Sequence, residues 1–112
     1  MTEMTLQFPD ELAERVRPMS IWLPTVLELS LVSFTTLAAV TASEVINFLS
    51  QNPAPSEVVA YRASERSQDR LQRLLALNEA SLLGEPEQRE LQELEHVEHI
   101  IVMLKAQAQS LL

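Results

Sequence analysis

The chain of 112 residues contains no cysteine and a single glycine, Gly84. Without cysteine it can form neither a disulfide framework nor a thiolate zinc site, and it has no thiol nucleophile. A loop that cradles phosphate needs several glycines, so this nucleotide-binding device is excluded as well. Eight basic residues stand against sixteen acidic ones, giving a formal net charge of −8, which disfavours a broadly basic surface for nucleic acid.

The sequence also lacks the marks of secretion and of membrane insertion. Residues 1–5 have no basic residue, and no small-residue cleavage site follows an apolar run, so no signal peptide is indicated. The longest uncharged part of the apolar middle, residues 29–43, is rich in Ser and Thr. It is shorter than the about 20 mainly apolar residues that a span needs. We therefore expect a cytoplasmic protein that makes no contact with a membrane.

Apolar and polar residues alternate over residues 4–8. This period of two predicts a short edge strand. One side of the strand carries Leu6 and Phe8, and the other carries Thr5 and Gln7. A lone strand cannot satisfy its own backbone groups, and no other segment has a strand pattern. The strand is therefore expected to pair with the same strand of a second copy.

The apolar middle of the chain predicts one long helix, after a short helix over residues 11–17. The long helix starts between Ser20 and Pro24 and runs to about Ser50. Its polar residues project in several directions, which indicates burial on more than one side. A second subunit would supply that burial, so we predict a homodimer or a larger oligomer. The residues assigned to dimerisation are Leu6, Phe8, Trp22, Leu27, Leu31 and Phe34.

Pro53 and Pro55 interrupt the helical pattern, because two prolines within three residues favour an extended connector. We place the boundary between two regions there. The strand-helix-helix dimerisation region covers residues 1–52, and a partner-binding C-terminal hairpin covers residues 53–112.

Two helices are predicted to form this hairpin. Ser64 caps the first, over residues 65–82, and Gly84 is expected in the left-handed conformation of a tight turn over residues 83–85. The second helix has apolar residues spaced by three and four, the pattern of a packed seam. The seam residues are Leu94, Val97, Ile101, Leu104, Ala108 and Leu111.

The sequence contains two partial patterns for metal binding and catalysis, and neither is complete. Glu93 and His96 have the Glu-x-x-His spacing of di-iron sites in helical bundles, but the chain has only one other histidine, His99. No serine lies in a glycine-bearing elbow, the setting of a nucleophilic serine. We therefore predict no metal, no cofactor and no enzymatic activity.

Candidate partner-binding residues lie in the second half of the chain. Arginines recur every three or four residues on one helix face, either as a salt-bridged exposed face or as a surface for an acidic partner. A second apolar strip beside the seam predicts a neighbour outside the chain. The residues assigned to partner binding are Tyr61, Arg66, Arg70, Arg73, Ile100 and Met103.

DNA binding is the first alternative. A strand followed by two helices is the order of half a ribbon-helix-helix protein, whose outward strand residues read the major groove. Thr5 and Gln7 would then contact bases. The strand contains no basic residue, so phosphate contacts would be weak. A ribbon that only dimerises is the competing interpretation.

Two stretches resemble small bacterial antitoxin-like proteins of a type common in cyanobacteria and often encoded beside nuclease genes. Residues 5–15, TLQFPDELAER, are similar to the opening of ribbon-helix-helix antitoxins. Residues 64–108, with RLQRLLALN and LGEPEQREL, resemble the C-terminal half of such proteins. The resemblance implies a protein that dimerises through its N-terminus and engages a toxin through its C-terminal helices. The sequence departs from that pattern in its uncharged strand and its longer middle helix.

We therefore expect an all-α protein with one short N-terminal β-strand, a long helix and a C-terminal helical hairpin. The expected function is that of a non-enzymatic, antitoxin-like interaction protein that homodimerises and binds a partner protein, a nuclease toxin being one candidate. A ribbon-helix-helix transcriptional regulator and a structural subunit of a larger helical assembly remain the alternatives.

Overall fold

The architecture is a set of helices arranged around one long C-terminal helix. The computed structural model describes residues 1–112, and it contains no strand. The α-helices are α1 (Asp10–Val16), α2 (Leu23–Leu31), α3 (Ala38–Leu49), α4 (Pro55–Val59), α5 (Glu65–Glu79) and α6 (Glu85–Ser110), with a 3₁₀ helix over Arg17–Trp22. Helix α6 is central, because α2, α3, α4 and α5 all pack against it.

The predicted N-terminal strand is wrong. Residues 1–9 are exposed and belong to neither a helix nor a sheet. The chain has no strand to pair with them, and a strand without a partner leaves its backbone groups unsatisfied. The alternation of apolar and polar residues over residues 4–8 does not provide partners for the backbone hydrogen-bonding groups of a strand. The carbonyl of Pro9 instead accepts a hydrogen bond from the N–H of Ala13, at 2.9 Å, at the start of α1.

The predicted long helix is also wrong, because it is broken between Leu31 and Ala38. In the break, the backbone N–H groups of Thr35 and Thr36 donate to the carboxylate of Glu93 on α6, at 3.0 and 3.1 Å. The hydroxyls of both threonines donate to the same carboxylate, at 3.0 and 2.8 Å. Glu93 thus satisfies, from another helix, the backbone of the break, and Thr36 in turn accepts the N–H of Ala38 on its Oγ1, at 3.2 Å, at the start of α3.

The break allows α2 and α3 to fold back onto α6 and to bury their apolar faces within one chain. Trp22 is fully buried, and its indole N–H donates to the carbonyl of Pro53 at 3.0 Å. Residues from both predicted regions share this core, whose buried members are Trp22, Leu29, Ala42, Val45, Leu49, Val58, Val97, Ile100, Ile101, Leu104 and Ala108. The burial that was expected to require a second subunit is therefore largely supplied by α6.

The seam predicted for the last helix is confirmed except at its end. Its residues from Leu94 to Ala108 are buried, whereas Leu111 is exposed. Leu74 of α5 is fully buried and packs with Leu91 and Leu94 in a second, smaller cluster. Each fully buried leucine contributes roughly 1.5–3 kcal/mol relative to leaving it exposed.

The turn between α5 and α6 is built differently from the prediction. The Ser64 cap is confirmed, since its Oγ accepts from the N–H of Ser67 at 3.3 Å. The left-handed residue, however, is Ser81, with φ of 57°, whereas Gly84 has an ordinary φ of −84° and precedes α6. The N–H of Leu82 donates to the carbonyl of Leu77 at 2.9 Å, which closes the last turn in the Schellman manner.

We predict that Ser81→Gly stabilises the protein. Relief of the left-handed strain, about 1–2 kcal/mol, exceeds the entropy cost of a new glycine, about 0.4–1 kcal/mol. Gly84→Ala is expected to change the unfolding free energy by less than about 0.5 kcal/mol, since the added Cβ would crowd only the flexible Glu87 carboxylate, 2.9 Å away. Urea unfolding followed by circular dichroism measures both. A greater loss at Gly84 than gain at Ser81 would contradict this account of the turn.

The Glu93 contact predicts a dependence of stability on pH. Burial alone would raise the pKa of Glu93, but the hydrogen bonds from Thr36 and Thr35 outweigh it and lower the pKa below its ordinary value of 4.5. Because the folded pKa lies below the unfolded one, the contribution is complete at neutral pH. It is lost as the pH falls through the lowered folded value.

We therefore expect Glu93→Gln to lower the unfolding free energy at pH 7 by about 1.5–3 kcal/mol, the range for hydrogen bonds to a charged group. The difference from the unaltered chain should shrink as the pH falls below the ordinary pKa of 4.5 and through the lowered pKa of Glu93 in the folded chain. Glu95→Gln, on the exposed side of the same helix, is the control. A difference that stays constant from pH 7 to pH 3 in urea titrations would contradict the charged role of Glu93.

Candidate binding surface

A groove of about 480 Å³ runs between α3 and α5, with α6 as its floor. We call it the arginine groove. Leu37 and Val40 line its α3 side, and arginines line its α5 side. The arginines are Arg66, Arg70 and Arg73, and the floor includes Glu90 and Leu94. The structure thus brings three of the six predicted partner-binding residues to one place.

The middle arginine is fixed to the floor of the groove. The Nε of Arg70 donates to Oε2 of Glu90 at 2.5 Å, and its Nη2 donates to Oε1 at 3.0 Å. Glu90 is only 7% exposed, so its carboxylate depends on this partner. The hydrogen bond with Glu90 raises the pKa of Arg70 above its ordinary value. Arg70 is therefore a structural element of the groove.

The two outer arginines are free. Arg66 and Arg73 are exposed, and neither lies within ion-pair distance of a carboxylate, since the pair of Arg70 and Glu90 is the only one in the chain. Two carboxylates also line the groove. Of these, Glu44 accepts a hydrogen bond from the hydroxyl of Ser64 at 3.2 Å, and Asp69 is exposed between the two arginines.

The opposite wall is apolar and open to solvent. Leu37 is 60% exposed and Val40 is 52% exposed. A spacing of three residues at the start of α3 puts both side chains on one face. The buried face of α3 is formed by other residues, such as Ala38 and Ala42. This pair is available for contact with an apolar side chain of another molecule.

Hydroxyl groups hold the two walls together. The Oγ1 of Thr41 on α3 and the Oγ of Ser67 on α5 are 2.7 Å apart, and Ser67 also bonds the hydroxyl of Ser64 at 3.1 Å. These hydroxyls are engaged with one another, and no histidine lines the groove.

The remaining predicted partner-binding residues lie elsewhere. Tyr61 stacks on Phe48, with ring centroids 4.6 Å apart, and burial, with a smaller effect of Glu44, raises its pKa. Tyr61 lines a separate cavity of about 340 Å³ between α5 and α6. Ile100 is buried in the core and is not available on the surface, whereas Met103 is exposed.

The residues assigned to dimerisation and to DNA are dispersed. Trp22 is buried in the core. Phe34 is partly buried and packs in a T-shaped arrangement with His96, with the ring centroids 5.9 Å apart. The exposed members of the dimerisation set are Leu6, Phe8, Leu27 and Leu31. Thr5 and Gln7 are exposed, but the paired ribbon that would present them to DNA is not formed.

Leu37, Val40 and Glu90 were missed from the sequence. A signal for Glu90 was present, because an antiparallel hairpin that turns near residue 80 brings residues 70 and 90 to the same level. Leu37 and Val40 fell inside the helix that was expected to be continuous, so no signal separated them from its buried residues.

No group of three or more potential ligands is arranged to hold a metal ion, and Glu93 is occupied by Thr35 and Thr36. None of the helices combines the length and the hydropathy required to cross a bilayer. The chain matches no protein family model, and neither curated proteins nor solved structures provide a significant match.

The pair of Arg70 and Glu90 generates a stability prediction. Arg70→Ala should lower the unfolding free energy by about 2–3 kcal/mol, because it leaves a buried carboxylate without its partner, less an allowance for the partial exposure of the arginine. The double variant Arg70→Met with Glu90→Leu should recover most of the loss. Thermal and urea unfolding would measure this cycle, with Arg66→Ala as the control. A double variant that is no more stable than Arg70→Ala would contradict the assignment.

Proposed function

We propose that this protein is a non-enzymatic interaction protein and that the arginine groove receives a segment of a partner protein. The segment carries an apolar side chain for Leu37 and Val40 and carboxylates for Arg66 and Arg73. The observation that supports this most directly is the pairing, across one groove, of two unpaired arginines with two exposed apolar residues.

The chemistry of the groove fits protein recognition. Arginine is enriched at protein interfaces, and its planar guanidinium binds carboxylates in a bidentate manner. The fixed pair of Arg70 and Glu90 forms a floor that is already ordered, which lowers the entropy cost of binding. The apolar pair supplies the contact that excludes water from the charged groups.

The spacing of the free arginines limits the shape of the partner segment. Arg66 and Arg73 are seven residues apart on α5, which is about 10 Å at 1.5 Å per residue. Carboxylates at that distance lie seven residues apart on a helix or about three residues apart on an extended chain. A helix would present its apolar residues between the two acids, on the same face.

The resemblance of residues 64–108 to antitoxin-like proteins supports a toxin as the partner, because α5 and its arginines lie within that stretch. No observation on the folded chain favours the regulator that reads DNA, since its paired ribbon is not formed. The partner is expected to be the product of an adjacent gene.

We predict that Arg66→Glu combined with Arg73→Glu weakens the complex with this product at least tenfold, about 1.4 kcal/mol, by placing like charges together. Leu37→Ser should weaken it independently, by removing the apolar contact. Arg89→Glu, which alters an exposed arginine of α6 outside the groove, should have little effect. Co-purification and isothermal titration calorimetry at two salt concentrations would measure these changes.

Unchanged affinity in both groove variants, with circular dichroism showing that they are folded, would refute the groove as the binding site. Failure of the adjacent product to co-purify with the unaltered chain would argue against toxin neutralisation.

A further inference from the structure

One side of α6 carries exposed apolar residues in the second half of the helix. Val102 is 54% exposed and Met103 is 57% exposed, and His99 and Ala106 are exposed on the same side. Their spacings of three and four residues make these side chains neighbours on the helix surface. Four other helices pack against α6, but they leave this side open. We call these four residues the outer stripe.

Helix α5 extends the open surface beside the outer stripe. A shallow depression of about 370 Å³ lies between the two helices. Its α5 side is formed by Leu71, which is partly buried, and Leu75, which is 37% exposed. None of the residues that line this depression lines the arginine groove, so the two surfaces are separate. Apolar surface grouped in this way favours contact with another surface over contact with water.

Charge is distributed unequally along α6. Residues 85–98 contain six acidic residues and one arginine, whereas residues 99–112 contain Lys105 and no acidic residue. Glu95 and Glu98 are exposed and line the depression. Lys105 lines the neighbouring cavity with Arg62, and Glu98 borders that cavity as well. None of these four side chains forms an ion pair within the chain.

This distribution makes the outer stripe complementary to a second copy of itself. Glu98 and Lys105 are seven residues apart and therefore lie on the same side of the helix. Glu98 lies about 6 Å before Val102 along the helix axis, and Lys105 lies about 4.5 Å after it. When two copies of α6 pack antiparallel about a twofold axis near Val102, Glu98 of each copy faces Lys105 of the other. A parallel arrangement would instead bring the two acidic halves side by side, where they repel each other.

We propose that the outer stripes of two copies of this chain pack antiparallel and form a dimer with twofold symmetry. The apolar side chains lie at its centre, and each pair of Glu98 with Lys105 occurs twice because of the symmetry. The arginine grooves of both copies stay open, so the inference is independent of the proposed function. An interface built on so few residues belongs to the small size class and dissociates readily.

Charge reversal in the full chain tests the pairing, with sedimentation velocity over a range of concentrations as the measurement. Glu98→Lys and Lys105→Glu should each weaken the dimer at least about tenfold, because each creates two contacts between like charges. An equimolar mixture of these two variants should associate about as well as the unaltered chain, since each carries the charges that the other needs.

The matched controls are Glu28→Lys and Arg89→Glu. They change the net charge by the same amounts at exposed positions outside the outer stripe, and neither should weaken the dimer. Glu98→Lys also lowers the overall negative charge, which by itself favours association. A weaker dimer in this variant therefore reports the local contact.

A second pair of variants tests the apolar centre. Val102→Ser combined with Met103→Ser should weaken the dimer at least about tenfold, since it removes the contact that excludes water from the charged pairs. Leu37→Ser combined with Val40→Ser removes a similar exposed pair from the arginine groove and should leave the dimer intact. Circular dichroism would confirm that every variant is folded.

Several results would overturn the proposal. A chain that is monomeric at every concentration has no such dimer. A dimer that survives the substitutions at Val102 and Met103 uses another surface, and so does a dimer that is lost on Arg66→Glu with Arg73→Glu. Charge variants that fail to associate when mixed would show that Glu98 and Lys105 do not face each other.

Discussion

The fold depends on the carboxylate of Glu93. It lies on α6 and accepts hydrogen bonds from the backbone and hydroxyls of Thr35 and Thr36, which lie 58 and 57 residues earlier in the chain. The donors at the start of a helix are normally satisfied by a residue next to them in sequence. Thr36 does so for α3, since its Oγ1 accepts from the N–H of Ala38. Glu93 holds Thr36 and Thr35 in place from a distant helix, at the break that divides α2 from α3. A continuous helix from residue 20 to residue 50 would be on the order of 45 Å long.

This dependence explains which parts of the fold the sequence predicts. The seam of α6 and the Ser64 cap follow from residues within one or two turns of each other, and both are confirmed. The break at Thr35 and Thr36 follows from a partner more than fifty residues away, which no local period records. The pair of β-branched, hydroxyl-bearing residues was the available signal, since such residues favour local hydrogen bonds over the helix. The strand was predicted from side-chain order alone, and it fails because backbone pairing is a separate requirement.

The candidate site also has features that local sequence predicts and features that depend on distant contacts. The shared face of Arg66, Arg70 and Arg73 follows from a helical period, and the groove contains all three. Their environment does not follow from the period. One arginine is bound to a buried carboxylate and two are free, because only Arg70 faces Glu90 across the hairpin. The opposite wall exists only because the chain breaks before α3. Ile100 was predicted to bind a partner because it lies beside the seam. It is instead part of the core, because several helices pack around α6.

Because the middle helices α2 and α3 are buried within one chain, their apolar faces are not available for association with another chain. If a continuous apolar helix had required a second subunit, the dimer would be large and obligate, with an interface like a core cut in half. The folded chain instead leaves small exposed apolar sets, including Leu37 and Val40 beside the groove and Met4, Leu6 and Phe8 before α1. Interfaces built on such sets fall in the small size class, where contacts are transient and exchange readily. The residues of α2 and α3 that the core requires are already covered within one chain, so association is left to the smaller sets on the surface.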